Sequence, residues 1–335
     1  CNYLGDDSAH LYEHAMKLWE GLSQDLNYNV MFSQRGVLML AHNHHDVISF
    51  KRHVYANRLN GIDNEWLSPE ECKAYCPPLT ISPDIRYPVL GGALQRRGGT
   101  ARHDAVAWGY ARGADARGVD IIQNCEVTGF ITEAGRCVGV ETSRGPIRAG
   151  VIGAATAGHS SVIASMAGLQ LPITSYALQA FVSEPLKPVM DTVWLAPPFG
   201  TYFSQSDKGG LVIGGGLDRV PSYGQRGNLP MQETVLAGLA EMVPALAKVK
   251  LLRHWAGIVD VTPDSSPIIG PSGLDGLYLN CGWGTGGFKS IPVGGWLLAH
   301  LMATGQHDPL SQPFDLTRFP TGRLIDEGAA SGIAH

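Results

Sequence analysis

The chain has 335 residues, 44% of them hydrophobic, and a formal net charge of −5 at pH 7. This length allows two domains, and the hydrophobic content excludes an intrinsically disordered protein. Lys and Arg are scattered rather than clustered, which excludes the basic surface of a nucleic-acid-binding protein and favours a protein that acts on small molecules.

The first part of the chain predicts two helices and a hairpin. Apolar residues recur at helical spacing over residues 8–24 and predict an amphipathic helix. The run "NVMFSQRGVLMLAHN" predicts a hairpin that turns around Gln34–Gly36. Residues 47–73 indicate a further helix, which ends before Pro77.

From residue 91 onwards, the pattern is one helix followed by short β-rich runs. The helix ends near Gly118. We expect strands at about 119–123, 125–132, 137–142 and 146–155, with "EAGR" as the turn of the middle pair. This succession indicates an α/β domain.

An antiparallel sheet is predicted between residues 171 and 261. Its strands lie in "ALQAFVSEP", "TYFSQSDKG", "GLVIGGGLD" and "LLRHWAGIVDVTP", with a helix at about 231–248. The strand "GLYLNCG", a glycine turn and the helix "IPVGGWLLAHLMATG" then return to the α/β pattern. The sheet domain is therefore predicted to be inserted between separated segments of the α/β domain.

The glycine turn "GWGTGGFKS" is a candidate anion site. A strand, a glycine turn and a helix bring backbone N–H groups and a positive helix end to one spot, which suits phosphate or another anion. A tight turn without a ligand is the alternative. The ammonium group of Lys289, if it enters a cleft, needs a carboxylate, a phosphate or an electron-rich ring as its partner. A surface lysine is the alternative there.

Other motifs are less specific. His103 lies where a helix should begin, a place where an imidazole can face a cleft, although an isolated histidine there is more often a helix-end partner. The cluster "AHNHHD" invites a metal site, but its spacing favours a solvated loop, and we expect no metal. The letters GxGxxG occur at Gly282, Gly284 and Gly287, yet the second strand of a full βαβ unit does not follow them.

The sequence contains no apolar run of the roughly 18 residues that span a membrane, and its polar start does not read as a signal peptide. We therefore expect a cytoplasmic protein without membrane contact. Six cysteines in so long a chain form neither a disulfide framework nor paired zinc ligands. We expect them to be reduced thiols.

Several long segments resemble one flavoprotein family. The runs "ISPDIRYPVLGGALQRRGGTARHDAVAWGYARGADARGVDIIQNCEVTG", "QSDKGGLVIGGGLD" and "GIVDVTPDSSPIIG" are similar to the β subunits of heterotetrameric sarcosine oxidases, within the D-amino-acid-oxidase-like flavoprotein superfamily. The resemblance covers nearly the whole chain. It implies an α/β FAD-dependent oxidoreductase fold with an interleaved antiparallel-sheet substrate domain.

The resemblance also implies domain bounds. A partial, discontinuous FAD-binding domain would comprise residues 1–29, 91–168 and 263–335, and the substrate domain residues 30–90 and 169–262. In the family, a βαβ segment that holds the FAD pyrophosphate precedes the "NYL" run. Because the present sequence starts at that run, we expect it to lack the first ~70 residues of a family member, and to be inactive alone.

Cofactor-binding residues follow from the same resemblance. His103 matches the histidine to which the family attaches FMN covalently, and Val127 matches a residue whose backbone meets the adenine of FAD. Gly284, Gly287 and Lys289 match the C-terminal turn that binds FAD noncovalently.

Two residues are implied at the substrate. Lys289 resembles a contact to the substrate carboxylate, and Tyr202 matches, more loosely, a residue at the border of the substrate pocket. These two positions are the candidate catalytic residues.

The implied reaction is the oxidative demethylation of sarcosine. Electrons pass from the N-methyl group to FAD, then to FMN and O2, which becomes hydrogen peroxide. Glycine is one product, and the methylene unit passes to tetrahydrofolate or leaves as formaldehyde. The implied partners are α, γ and δ subunits, with NAD and tetrahydrofolate bound by the α subunit.

Two alternatives remain open at this point. One is another amine-oxidising flavoprotein, such as a dimethylglycine or D-amino-acid dehydrogenase, which has no reason to hold FMN at His103. The other is a flavin-free assembly subunit.

Overall fold

A computed structural model describes residues 3–325, so the predicted domain ends at residues 1–2 and 326–335 lie outside the described residues. The described α-helices are α1 (Asp6–Asp25), α2 (His44–Leu59), α3 (Pro69–Tyr75), α4 (His103–Asp115), α5 (Ser160–Met166), α6 (Leu229–Met242) and α7 (Gly287–Thr304). Throughout this range, every helix is too short or too polar to span a lipid bilayer.

The described strands form three sheets. They are β1 (Val37–Ala41), β2 (Glu65–Leu67), β3 (Gly91–Gln95), β4 (Val127–Glu133), β5 (Arg136–Thr142), β6 (Ile147–Arg148), β7 (Ile152–Ala154), β8 (Thr174–Pro185), β9 (Val193–Ala196), β10 (Thr201–Gln205), β11 (Gly210–Leu217), β12 (Leu251–Val261), β13 (Ile268–Pro271) and β14 (Leu277–Cys281). Eight of them form one sheet in the order β12-β8-β11-β10-β9-β1-β3-β2, and the others form the sheets β13-β14-β7 and β4-β5-β6.

The large sheet is antiparallel except where β1 runs parallel to β9. Its strands come from residues 37–95 and 174–261, and β3 lies in it although residue 91 was predicted to open an FAD-binding segment. The division into two domains remains a prediction.

Each face of the large sheet carries helices. On one face, Phe203 and Trp194 pack in the main hydrophobic core with apolar residues of α3 and α6. On the other face, α2 packs through Phe50 and Val54 against Ala41 and Ala93. Because side chains alternate along a strand, Tyr202 points to this second face, and cross-strand pairing through Leu195 aligns it with the part covered by α2.

Helices α1 and α7 pack on each other and on the small sheet that contains β14. Leu11 and Ala15 of α1 meet Val293 and Leu297 of α7, all buried. The indole N–H of Trp19 donates to the carbonyl oxygen of Lys289 at 2.7 Å. Helix α1 therefore fixes the position of the first turn of α7.

Most predicted elements are confirmed. The helices expected at 8–24 and before Gly118 are α1 and α4, and the "EAGR" turn joins β4 to β5. The C-terminal helix begins at Gly287, four residues earlier than expected, which places Lys289 inside its first turn.

Four predicted elements are wrong. The strand expected at about 146–155 is divided into β6 and β7, which belong to different sheets. The hairpin around Gln34–Gly36 does not form, because β1 pairs with the distant strands β3 and β9. The helix expected over residues 47–73 is divided into α2, β2 and α3, since Gly61 adopts a φ of 72° just after α2 ends. Residues 119–123 are not a strand, and no neighbouring strand in the described part of the chain pairs with them.

The five cysteines in the described range are free thiols, and Cys1 lies outside it. Cys72, Cys76, Cys137 and Cys281 are buried, whereas Cys125 is partly exposed. Burial raises the pKa of Cys72 and of Cys281 to about 12. These thiols are therefore protonated and weakly reactive in the folded chain.

Candidate functional site

The turn between β14 and α7 depends on glycine. Gly282 and Gly284 have φ values of 72° and 52°, in the left-handed region that residues with a Cβ rarely adopt. A Cβ on Gly282 would also lie 2.7 Å from Thr262 Cγ2. The backbone therefore comes close to the end of β12 as it enters α7.

A buried carboxylate lies under this turn. Asp260, 3% exposed near the end of β12, accepts the N–H of Gly282 at 2.5 Å, and the backbone dipoles of Trp283 and Gly284 also favour its charged form. Burial raises the pKa of Asp260, while these backbone groups oppose that rise. The N–H group of Gly282 is thus engaged within the chain and is not available to an external anion.

The start of α7 offers a second set of donors. Gly286 precedes the helix without a side-chain cap, and the first turn contains no acidic residue, so the positive helix end has no carboxylate of its own helix beside it. Gly287 opens the helix with an ordinary helical φ of −63°. An electron-rich ligand at the turn would use these first-turn N–H groups.

The Lys289 ammonium group lies against two tyrosine rings. The Tyr3 and Tyr12 rings stack with centroids 4.1 Å apart, and Lys289 Nζ is 4.7 Å and 5.0 Å from these centroids. A Cβ on Gly286 would lie 2.3 Å from the Tyr12 hydroxyl oxygen, so only glycine allows this ring to approach. The lysine side chain is itself exposed, and an electron-rich ring is one of the partners the sequence predicts for it.

His103 is the first residue of α4, and its side chain is exposed. Its neighbours Arg102 and Asp104 form an ion pair with each other at 2.7 Å. The segment before the helix is held by paired backbone hydrogen bonds between Ser33 and Thr100, at 2.7 and 3.0 Å. The imidazole therefore projects from a backbone segment that these hydrogen bonds hold in place.

Val127 begins the edge strand β4, where it pairs with Thr142 of β5 on one side only. Because β4 is an edge strand among the described residues, its outer backbone groups face away from the sheet. The position suits a ligand that meets backbone, as an adenine ring would.

Tyr202 lies across Gly214 of the neighbouring strand β11. A Cβ on Gly214 would be 1.9 Å from Tyr202 Cζ, so the ring occupies the space a side chain would fill. Burial raises the pKa of the Tyr202 hydroxyl, which stays neutral at physiological pH.

Comparison with known proteins defines the family. A family model described as FAD dependent oxidoreductase matches residues 1–301. The chain is 55% identical over 334 residues to the sarcosine oxidase subunit beta of Rhodobacter capsulatus, covering 100% of this chain and 80% of that protein. The chain belongs to the FAD-dependent oxidoreductase family. The predicted superfamily and fold are confirmed.

Further relatives support this membership. The sarcosine oxidase subunit beta of Arthrobacter is 52% identical, with 100% of this chain and 82% of that protein covered. Among solved structures, L-proline dehydrogenase from P. horikoshii superposes with a TM-score of 0.88 at 28% identity, covering 94% of this chain and 84% of that one. The name "subunit beta" marks the first relatives as parts of multi-subunit proteins.

Family membership indicates that FAD is the ligand against which the turn should be compared. The glycine-lined entry to α7, its uncapped first turn and the nearby ammonium group of Lys289 suit the electron-rich edge of a flavin. The structure brings Gly284, Gly287 and Lys289 together in this one turn, whereas His103, Val127 and Tyr202 lie on three other elements.

Sequence reasoning missed one charged residue at the turn and one that ties the end of β3 to α1. Asp260 is one, and an acid within the apolar run of β12 was its only signal. Arg97 is the other: it follows β3 and binds Glu13 at 2.7 Å and Glu20 at 2.8 Å on α1. Its signal was that Glu13 and Glu20 lie about two helical turns apart on α1 and therefore share one face of the helix.

The histidine cluster after β1 is not the solvated loop that was predicted. His44 and His45 are the first two residues of α2, and His42 is buried, with Nδ1 2.9 Å from the Tyr87 carbonyl oxygen. The Asp46 carboxylate accepts the backbone N–H of His42 at 3.0 Å, which ties the strand end to the helix. Residues 3–325 hold no group of three or more His, Cys, Asp or Glu side chains suited to a metal ion.

Proposed function

We propose that the chain is the β subunit of a heterotetrameric sarcosine oxidase, which demethylates sarcosine to glycine. Family membership and relatives at 52% and 55% identity support a flavin-dependent amine oxidase. The observation that carries the substrate assignment is the Lys289 ammonium group at the uncapped start of α7, because a small amino acid without a charged side chain is held chiefly by its carboxylate.

Each candidate residue has a role in this proposal. Lys289 binds the substrate carboxylate without occupying the amine, and the neutral Tyr202 hydroxyl borders the pocket. Gly284 and Gly287 let the backbone approach noncovalent FAD, and the backbone of Val127 meets its adenine. The flavins, when bound, supply two-electron oxidation of the amine and reduction of O2 to hydrogen peroxide.

The proposal assigns a covalent FMN to His103. Support comes from its exposed imidazole, which a flavin can reach without displacing any packed side chain. Because exposure also means that this chain supplies few walls around the ring, the FMN pocket would be completed by another subunit. We therefore infer a partner α subunit at this surface, with γ and δ subunits in the same assembly and NAD and tetrahydrofolate bound by α.

The two predicted domains fit this arrangement. The large sheet would form the substrate domain, with Tyr202 on the face opposite its main core, and the turn at Gly284 would belong to the FAD-binding domain. The 335-residue chain alone is expected to be inactive toward sarcosine.

The test is turnover by the assembly made by co-expression with its partner subunits. We expect sarcosine-dependent O2 consumption that yields hydrogen peroxide, and a yellow protein pellet after acid precipitation, which releases only noncovalent flavin. Turnover of dimethylglycine, L-proline or a D-amino acid in preference to sarcosine, with a colourless pellet, would instead favour a single-flavin dehydrogenase. Sarcosine turnover by the isolated chain would contradict the role given to the partners.

A further inference from the structure

A small cavity lies between α2 and the second face of the large sheet. Its volume is about 10 Å³. Its walls combine the apolar side chains of Val37, Met39 and Phe50 with the polar side chains of His53, Asn64 and Gln95. It shares this face of the sheet with Tyr202 of β10, but its strand residues belong to β1 and β3, two and three strands away, and Tyr202 does not line it.

One wall presents an unused histidine nitrogen. His53 is 8% exposed, and its Nδ1 lies 2.9 Å from the carbonyl oxygen of Ser49. A carbonyl oxygen only accepts, so Nδ1 carries the hydrogen and Nε2 keeps a lone pair in the neutral ring. Burial lowers the pKa of His53, which favours that neutral form. Nε2 is buried and has no hydrogen-bond partner among the described residues.

A second wall presents an unused amide oxygen. Asn57 donates through Nδ2 to the Tyr3 carbonyl oxygen at 3.0 Å, which fixes its Oδ1 as an acceptor. That oxygen receives Gln95 Nε2 at 3.2 Å and Asn64 Nδ2 at 3.5 Å. The Asn64 amide is therefore oriented, and its Oδ1, in a residue 3% exposed, is buried and without a partner within residues 3–325.

These two atoms define the ligand by its chemistry. Both are acceptors, so an anion is excluded, and no carboxylate lines the cavity to hold a cation. The ligand must be neutral and donate two hydrogen bonds, and a cavity of this size takes about one water-sized molecule. We propose that the cavity is a binding site for one water molecule, which donates to His53 Nε2 and to Asn64 Oδ1.

Such a water completes a continuous polar network. It would join α2 to the segment before β2 and, through Asn57 and Gln95, to the end of β3. The chain continues from Gln95 to Arg97, which is anchored on α1, and on to His103 at the start of α4.

The first test is a high-resolution crystal structure of the assembled protein. We expect one spherical density peak within about 2.6–3.2 Å of both His53 Nε2 and Asn64 Oδ1, and its loss in His53→Phe. A cavity without density, or density for a larger molecule, would overturn the proposal. The wild-type result stands even where a variant does not fold.

The second test is a double-mutant cycle on the melting temperature of the assembly. Two side chains that share one water should be coupled, so the melting temperature of the His53→Phe, Asn64→Leu double variant should fall by less than the sum of the single shifts. The matched control pairs Asn64→Leu with His42→Phe, another buried histidine whose Nε2 has no described partner but which lies outside the cavity. Additive shifts for both pairs would reject the bridge.

Discussion

The turn that enters α7 and the start of α4 differ in how much of their surroundings this chain provides. At the turn, the Asp260 carboxylate accepts the backbone N–H of Gly282, and the Trp19 indole N–H donates to the carbonyl oxygen of Lys289. At α4, His103 projects from the first helical residue into an exposed position, and its neighbours pair with each other.

This difference matches two ways of holding a cofactor. A noncovalent ligand depends on donors fixed in place before it binds, because each group ordered on binding reduces the affinity. A covalent bond needs only a reachable nucleophile, and the rest of the pocket can come from a partner. Substitutions in the turn should therefore affect folding and binding, whereas substitutions at α4 should affect attachment alone.

The largest effect is expected from Asp260→Ala. Removing this carboxylate leaves the buried N–H group of Gly282 without its charged acceptor, which should lower the free energy of unfolding by about 3 kcal/mol and weaken noncovalent flavin binding. Urea unfolding and flavin absorbance of the assembly measure both. Asp275→Ala, which removes an exposed partner of Arg136, is the control and should cost less than about 1 kcal/mol. Equal losses in the two variants would refute the special role of Asp260.

Lys289→Met should follow in size. Loss of a charged contact to the substrate carboxylate is expected to lower kcat/KM for sarcosine about 30-fold, or about 2 kcal/mol. The free energy of unfolding should fall by about 1–2 kcal/mol, the value of two exposed cation–π contacts. Lys17→Met on the exposed side of α1 should leave kcat/KM unchanged. A normal kcat/KM in Lys289→Met would remove the lysine from the substrate site.

Arg97→Met should have a smaller, pH-dependent effect. The Arg97 hydrogen bonds hold the pKa of Glu20 below its ordinary value of 4.5, so this stabilisation is present above that pH and is lost as the pH falls through the lowered value. Both side chains are about one-third exposed, which limits the effect near pH 7 to about 1 kcal/mol or less. Unfolding measured at a series of pH values from 7 downwards should show the wild type and variant converging as Glu20 becomes protonated. A constant difference at all pH values would mean that packing, not charge, is responsible.

The smallest change in stability is expected from His103→Asn. An exposed side chain should alter the free energy of unfolding by no more than about 0.5 kcal/mol, yet the covalent yellow colour of the acid pellet should disappear. His44→Asn, at the exposed start of α2, keeps the colour if attachment is specific. A yellow pellet from His103→Asn would place the attachment elsewhere.

Local pattern predicted the elements better than their partners. The periodicity of α1 and the strand–turn–helix of β14 and α7 are written in neighbouring residues, and both are confirmed. Strand β1 was assigned to a hairpin because its partners β3 and β9 are distant in sequence, and period-2 alternation does not identify a partner.

The same limit applies to the candidate site. An isolated lysine behind glycines indicated that an electron-rich partner was needed, but not that Tyr3 and Tyr12 would provide one across almost the whole chain. Asp260 was missed because its role depends on a turn 22 residues further on. Spacing identifies residue types near a site, while long-range packing decides which of them meet.

The distribution of buried and exposed cysteine thiols allows local unfolding of the chain to be measured. Among the cysteines of residues 3–325, Cys125 alone is partly exposed, and the other four are sealed in hydrophobic clusters or beneath the β14 turn. An alkylating reagent should therefore label Cys125 quickly and the remaining four only at the rate at which their regions unfold. Mass spectrometry of the labelled peptides would then rank the local stability of the core at α3 against that of the strand end at Cys281, before the turn that enters α7.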